Sequence, residues 1–273
     1  MTSDAREKSW EDGAPVEYYD FIKGDVHFRY NTSDRVLSML GEDWLPMAIT
    51  RGNIQEGAER NKLTLTVEVP RSAEVFGWWH PYPVSASVGL TVYTGHLGES
   101  DQAVTWIGRV MSPKFTPRSV RLTAEPSTTL SKKTGQVQCW QRGCMHVLYK
   151  QGDGLCNVVK EDFAVPATLT FSVANILKAT EFASVPSRRL AGGYIEWEAP
   201  DGTLERRSVN THNGDTINVM YGASTLPVGT EVVAIPGCRH TYEDCDEFFD
   251  NGPNYGGDLY GPERSPFNGN PVF

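Results

Sequence analysis

Five cysteines lie in two clusters in the second half of a 273-residue chain. The first cluster contains Cys139, Cys144 and Cys156, and the second contains Cys238 and Cys245. Glycines and polar residues surround these cysteines, which indicates loops rather than apolar strands. A thiolate that binds a metal is typically held in such a turn, because backbone N–H groups can then point at the sulfur. The spacing therefore predicts a closed four-ligand metal or cluster site.

The alternative is that the cysteines are ordinary core residues, since cysteine is among the most buried residue types. The intervals of four residues between Cys139 and Cys144 and six between Cys238 and Cys245, in polar sequence, favour ligands instead. The first ten residues lack an apolar signal segment, so we expect synthesis in the reducing cytosol. An odd number of cysteines in that compartment predicts five thiols that are not paired with one another.

The identity of the metal is open from the residues alone. Soft thiolate ligands restrict it to zinc or an iron–sulfur cluster. The spacings are wider than the roughly two to four residues of usual zinc knuckles, and they do not match ferredoxin motifs either. His146 and His240 stand beside cysteines and are alternatives for one thiolate, although a supporting or surface role is the simpler interpretation.

The elements that position these cysteines are predicted to be β-strands, because apolar and polar residues alternate along most of the chain. Residues 34–40 are compatible with a short helix or a strand, and we favour a strand because strands flank them. The strands predicted before the cysteines cover residues 63–69, 88–92, 103–111 and 120–124.

A second β block is predicted between the two cysteine clusters. Residues 194–198 and 204–209 form a predicted hairpin, because Asp201-Gly202 between them is a strong turn signal. Two further strands are predicted at 216–221 and 229–235. Short strands at this spacing are typical of small barrels and sandwiches.

The predicted fold is therefore mainly β, with two small barrel-like or sandwich-like domains linked through the four-cysteine metal-cluster site. The boundary is placed where the composition shifts to Ser, Thr, Lys and Gly. The predicted divisions are an N-terminal β domain over residues 1–135, a cluster-bearing β domain over 136–250, and an extended Gly/Asn/Pro-rich tail over 251–273.

Composition excludes several classes of function. The net charge of −9 argues against sequence-specific nucleic-acid binding. No stretch approaches the roughly 18 apolar residues of a transmembrane helix. Gly-x-Ser-x-Gly, His-Glu-x-x-His and P-loop motifs are absent from the sequence. The acidic residues of 243–250 are compatible with a glycosidase or calcium site, but a solvated loop is the simpler interpretation, because no apolar neighbours would raise their pKa.

Several longer motifs resemble one family. They are Cys144-Met-His-Val-Leu-Tyr149 followed by Cys156, Ala191-Gly-Gly-Tyr-Ile-Glu-Trp197, Pro236-Gly-Cys238-Arg-His-Thr followed by Cys245, Phe249 and Asn251, Asn254-Tyr-Gly-Gly257, and the N-terminal segments 19–32 and 49–52. These residues resemble the tail-tip hub proteins of long-tailed phages (siphoviruses) and gene transfer agents. The resemblance covers nearly the whole chain and is more specific in its C-terminal half.

This resemblance implies a non-enzymatic virion protein at the tail tip, assembled in the host cytoplasm. It implies a homotrimeric ring, or hub, at the distal end of the tail tube. The implied partners are further copies of the chain, the distal tail or tube protein, and central tail-fibre or hub proteins. It also implies a 4Fe–4S cluster bound to Cys144, Cys156, Cys238 and Cys245. The loop before Cys156 is longer than is usual in the family, so Cys139 is the substitute for the first ligand.

Three other functions remain alternatives. The first is a binding module stabilised by four-cysteine zinc ligation. The second is an iron–sulfur redox enzyme, although nothing in the sequence resembles a nucleotide or flavin motif. The third is a thiol enzyme in which Cys139 is the nucleophile and His146 the base.

Overall fold

The mainly β prediction is confirmed by the computed structural model, in which β-strands dominate the described secondary structure. The chain divides into two units, Met1–Thr134 and Gly135–Phe273. No helix in the described part of the chain is long and apolar enough to cross a membrane. The structure describes residues 13–54, 63–81, 84–98, 102–128, 141–222 and 225–261.

The first unit is built on one sheet whose strand order is β3-β4-β2-β1-β7-β8-β9-β6-β5. Its pairs are antiparallel except for the parallel pair of β2 and β4. The strands are β1 (Pro15–Lys23), β2 (Val26–Asn31), β3 (Leu37–Met39), β4 (Glu42–Pro46), β5 (Thr50–Arg51), β6 (Leu65–Pro70), β7 (Gly89–His96), β8 (Ala103–Phe115) and β9 (Ser119–Pro126).

The alternating residues that predicted β6 bury one face of the sheet: Leu65, Val67 and Val69 are all buried. Phe21 lies in the same core, with its ring edge-on to the rings of Tyr30 and Trp79 at centroid distances of 6.2 and 6.4 Å. Aromatic pairs at this separation add stabilisation beyond the area they bury.

Asn31 closes the turn between β2 and β3 with a completely buried side chain. Its amide nitrogen donates to the carbonyl of Trp44 at 2.6 Å and to that of Arg35 at 3.1 Å. Its amide oxygen accepts the backbone N–H of Ser33 at 2.8 Å. One side chain therefore satisfies three backbone groups.

Asn31→Ala is expected to lower the free energy of unfolding by about 1–3 kcal/mol, because it leaves the buried carbonyl of Trp44 without this donor. Chemical denaturation followed by tryptophan fluorescence measures the loss. The matched control is Asn53→Ala at an exposed position, which should change the unfolding free energy by less than about 0.5 kcal/mol. Equal effects of the two substitutions would contradict the role assigned to Asn31.

The second unit is built on one antiparallel sheet with the order β10-β16-β13-β14-β15-β12-β11. Its buried core includes Leu177, Phe182, Ile195 and Ile217, which are fully buried. The strands are β10 (Val165–Thr168), β11 (Phe171–Val173), β12 (Ile176–Lys178), β13 (Tyr194–Glu198), β14 (Leu204–Asn213), β15 (Thr216–Val219) and β16 (Glu231–Ile235).

The cysteines correct one predicted feature of the architecture. All four that the structure describes belong to the second unit, so the cysteine site does not link the two domains as predicted. β10 and β16 are antiparallel neighbours, with Val165 opposite Ala234. The chain that enters β10 and the chain that leaves β16 therefore meet at one end of the sheet. This pairing brings together cysteines that are far apart in sequence. Cys139 lies outside the described residues.

Candidate metal centre

The four described cysteines line one small cavity in the second unit. Cys156 and Cys245 are buried, whereas Cys144 and Cys238 are partly exposed, and all four are free thiols. The space open to the centre of a water molecule is about 10 Å³, close to the minimum that one water needs. The remaining lining residues are His146, Leu148, Val158, His240, Phe249 and Asn254.

Hydrogen bonds tie the two cysteine-bearing segments together around this cavity. The backbone N–H of Cys144 donates to the carbonyl of His240 at 2.8 Å. The hydroxyl of Tyr149 donates to the carbonyl of Pro236 at 2.7 Å. Both bonds connect residues more than 80 positions apart, so the cavity has a fixed wall on each side.

Asn251 is a third connection and it touches two cysteines. Its side-chain amide donates to the carbonyl of Cys156 at 2.6 Å, and its nitrogen lies 4.0 Å from the Cys156 sulfur. Its own backbone carbonyl accepts the thiol hydrogen of Cys245 at 3.3 Å. Asn251 is buried, and its contacts connect the second cysteine-bearing segment to the first.

Backbone N–H groups point at two of the sulfurs, as the glycine-containing turns predicted. The N–H of Gly256 donates to the Cys144 sulfur at 3.3 Å, and that of His240 donates to the Cys238 sulfur at 3.2 Å. Donors in these positions favour a thiolate over a thiol.

The segment that supplies the Gly256 donor packs without room for side chains. A Cβ atom on Gly256 would lie 2.5 Å from the His146 ring. A Cβ on Gly257 would overlap the backbone carbonyl of Arg142 and lie 2.7 Å from the ring of Tyr255. These two glycines allow the chain after β16 to lie directly against the first cysteine loop.

Gly257→Ala is therefore expected to push this segment away from Cys144, to lower the free energy of unfolding by about 1–3 kcal/mol, and to reduce the content of the metal that the four cysteines are predicted to bind. Metal analysis and thermal unfolding measure the two effects. The control is Gly77→Ala, where a Cβ meets nothing within 4 Å. A Gly257→Ala protein with full metal content would show that the close approach is not required.

Burial governs the acidity of two thiols. Burial raises the pKa of Cys238 to about 11, and the carboxylate of Asp244 adds to the effect. Burial also raises the pKa of Cys245, with further contributions from the nearby Cys144 and Cys156. A nucleophilic cysteine needs a lowered pKa, so neither thiol has the character of a catalytic nucleophile. A bound cation would reverse this preference and favour the thiolates.

A buried ion pair supports the second cysteine loop. Arg189 and Asp244 are both buried and form a salt bridge, and the second carboxylate oxygen of Asp244 accepts the backbone N–H of Arg239 at 2.9 Å. The Arg189 guanidinium lies 3.3 Å from the ring centroid of Phe248 and 5.0 Å from that of Phe249. Burial acts to raise the pKa of Asp244, but these hydrogen bonds and the charge of Arg189 outweigh burial and lower it.

Asp244 also corrects the interpretation of residues 243–250 as a wholly solvated loop, because it is buried against Arg189. Sequence reasoning gave no supporting role to either member of this pair, nor to Asn251, which it noted only within a family motif. Arg189 lies just before the Ala-Gly-Gly motif, but no feature of the local sequence connects it to Asp244, which lies 55 residues later.

No set of three or more His, Cys, Asp or Glu side chains, within the residues that the structure describes, is arranged to hold one metal ion. The predicted four-cysteine metal site is therefore not shown as such. The structure does bring the four predicted ligands to one cavity with apolar walls and N–H donors at the sulfurs.

Comparisons with known proteins agree with the resemblance found in the motifs. Residues 188–264 match the family model described as "Phage conserved hypothetical protein BR0599". An uncharacterized protein of Xylella fastidiosa (strain 9a5c) is 26% identical over 158 residues, which is 54% of this chain. That region spans 33% of the length of this curated relative.

A solved structure shares the fold along the entire chain. A chain from the virion of the native gene transfer agent (GTA) particle superimposes with a TM-score of 0.73 at 17% sequence identity, and the match covers 100% of both chains. Together with the family match, this supports the resemblance to phage and gene transfer agent proteins.

Proposed function

We propose that this chain is a virion structural protein that forms a homotrimeric ring, the hub, at the distal end of a phage tail tube. The observation that carries the proposal is the shared fold with a GTA particle chain over the full length of both proteins. The match of residues 188–264 to a phage family model supports it, because it points to a phage protein independently of the fold comparison. The proposed partners are further copies of the chain, the distal tube protein, and central tail-fibre or hub proteins.

We further propose that a 4Fe–4S cluster binds Cys144, Cys156, Cys238 and Cys245. A tetrahedral zinc site with bonds of about 2.3 Å needs its four sulfurs about 3.8 Å apart. A cluster binds each cysteine through a different iron, so the sulfurs need not converge on one point. The four-thiol donor set and the N–H donors at two sulfurs suit either metal centre, and the resemblance to the hub family favours the cluster.

The cluster's role in this proposal is structural. It joins the segment before β10 to the segment after β16 and so fixes the two ends of the second unit. Tyr149, Asn251 and the Arg189–Asp244 pair position the loops that carry the ligands. The proposal assigns no catalytic residue, and it places no redox reaction at the site.

Electron microscopy of assembled particles tests the ring, and metal analysis tests the cluster. We expect threefold density for this chain at the distal tube end, and brown protein with roughly four iron and four sulfide per chain. A single copy at the particle periphery would overturn the hub. Colourless protein with one zinc per chain would instead support the zinc-stabilised binding module.

A further inference from the structure

Left-handed backbone conformations are concentrated in the cysteine loops. Eight non-glycine residues of the described chain have a positive φ, and four of them follow a cysteine within five positions. Each of the four described cysteines has one such residue after it: Tyr149 (φ 65°), Asn157 (φ 58°), His240 (φ 60°) and Asp250 (φ 47°). Residues other than glycine rarely adopt this conformation, so surrounding contacts must hold it in place.

Among these four, His240 is joined through its backbone to two cysteines. Its N–H donates to the Cys238 sulfur at 3.2 Å, and its carbonyl accepts the N–H of Cys144 at 2.8 Å. Cys238 precedes His240 by two positions, whereas Cys144 lies in the first cysteine segment. The left-handed turn at His240 therefore directs one backbone group of the same residue at each of two predicted ligands.

A tyrosine hydroxyl supports the His240 carbonyl. The Tyr255 hydroxyl lies 3.2 Å from this carbonyl oxygen and also bonds to the carbonyl of Arg142, next to the first cysteine. The Tyr255 ring packs edge-on against the ring of Tyr242 at a centroid distance of 5.4 Å. The contacts around His240 thus fix its carbonyl from both cysteine segments, which is the support that a left-handed residue requires.

The side chain of His240 has no comparable support. The residue is exposed, although it belongs to the lining of the cysteine cavity. Within the described part of the chain, its imidazole forms no hydrogen bond or ion pair. A histidine that binds a metal almost always has its other ring nitrogen oriented by a hydrogen bond. The site therefore fixes the backbone of His240 and leaves its ring unoriented.

We infer that His240 is a positioning residue whose left-handed backbone joins the Cys144 loop to the Cys238 loop, and that its imidazole does not bind the metal. The N–H of His240 favours a thiolate at Cys238, and its carbonyl holds Cys144 on the same side of the cavity. The inference rests on the proposed four-cysteine site and names a residue that sets how two of its ligands are placed. It opposes the alternative in which His240 replaces one thiolate.

Three substitutions that all remove the imidazole test the inference in the full-length chain. Glycine adopts a positive φ freely, asparagine tolerates it, and a β-branched valine strongly disfavours it. We expect His240→Gly and His240→Asn to keep the wild-type iron content per chain. In His240→Val, the concentration of a ferrous-iron chelator that removes half of the iron should fall about 5–30-fold, the factor that corresponds to a left-handed cost of about 1–2 kcal/mol.

Hydrogen exchange of the Cys144 amide is a second measurement, and it does not depend on which metal is bound. This amide donates to the His240 carbonyl, so its exchange should be faster in His240→Val and unchanged in the other two variants. The control is Leu40→Val, because Leu40 is an exposed residue of the first unit with φ 57°. It introduces the same backbone conflict away from the site and should change neither measurement.

Equal loss of iron in all three variants would assign the imidazole as a ligand and overturn the inference. Wild-type iron retention and unchanged Cys144 exchange in His240→Val would also overturn it, because the left-handed conformation would then not be required. Wild-type protein that contained neither iron nor zinc would refute the proposed metal site. In that case the Cys144 exchange rates of the three variants would still decide whether the His240 backbone joins the two loops.

Discussion

Cys156→Ser or Cys245→Ser should produce a colourless protein in which the segment before β10 and the segment after β16 are no longer held together. Both thiols are buried at the proposed cluster, and serine is a weak ligand for a soft metal centre. For structural zinc, metal binding coupled to folding amounts to about 10–16 kcal/mol. Even half of that equals a typical domain's net stability of roughly 5–15 kcal/mol. Cys144→Ser and Cys238→Ser should act in the same direction.

Iron and sulfide content, visible absorption and tail assembly are the three measurements for this series. Cys139→Ser is the matched control, because the four other cysteines already complete the proposed ligand set. If Cys139→Ser removed the colour and Cys144→Ser did not, the first ligand would be Cys139. If every single variant assembled normally, the structural role of the cluster would be refuted. A variant that lost its colour but still assembled would show that the cluster is not required for folding.

Strands with one buried and one more exposed face could be predicted from the sequence. β6 alternates buried and partly buried residues along its length, and the alternation is visible in the letters. β1 was not predicted from periodicity, because Tyr18, Tyr19, Asp20 and Phe21 are buried in succession and leave no period of two. β11 and β12 are three residues long, which is too short for any periodicity to be detected.

The same distinction applies to the site. Residue type and glycine-containing turns predicted a thiol site in these loops, since those features are local, whereas the particular ligand set came from the family resemblance. The supporting contacts are not local: Asn251 reaches Cys156 across 95 residues, and Arg189 reaches Asp244 across 55. The first contact depends on the pairing of β10 with β16 and the second on the pairing of β13 with β16, and no local pattern encodes either pairing. Proximity of the cysteines was predictable, and the groups that hold them there were not.

Arg189→Met should destabilise the second unit by about 3–5 kcal/mol, because removal of one partner of a buried ion pair leaves the other charge uncompensated. Asp244 Oδ2 would keep its backbone donor from Arg239, but Oδ1 would lose the guanidinium. Methionine retains much of the arginine's apolar contact with Phe248 and Phe249. The measured loss therefore reports the charge rather than a cavity. Chemical denaturation and metal content per chain are the measurements, and Arg188→Met at the exposed neighbouring position is the control.

A second substitution separates the ion pair from general damage to the loop. Asp244→Asn keeps an oxygen that can accept the Arg239 N–H while it removes the negative charge. In the Arg189→Met background, Asp244→Asn should therefore recover most of the lost stability, and the coupling between the two sites should exceed about 1 kcal/mol. Additive effects would show that Arg189 acts only through its packing on the two phenylalanines. Recovery of both stability and metal content would show that the pair holds the Cys245 loop in the position that metal binding requires.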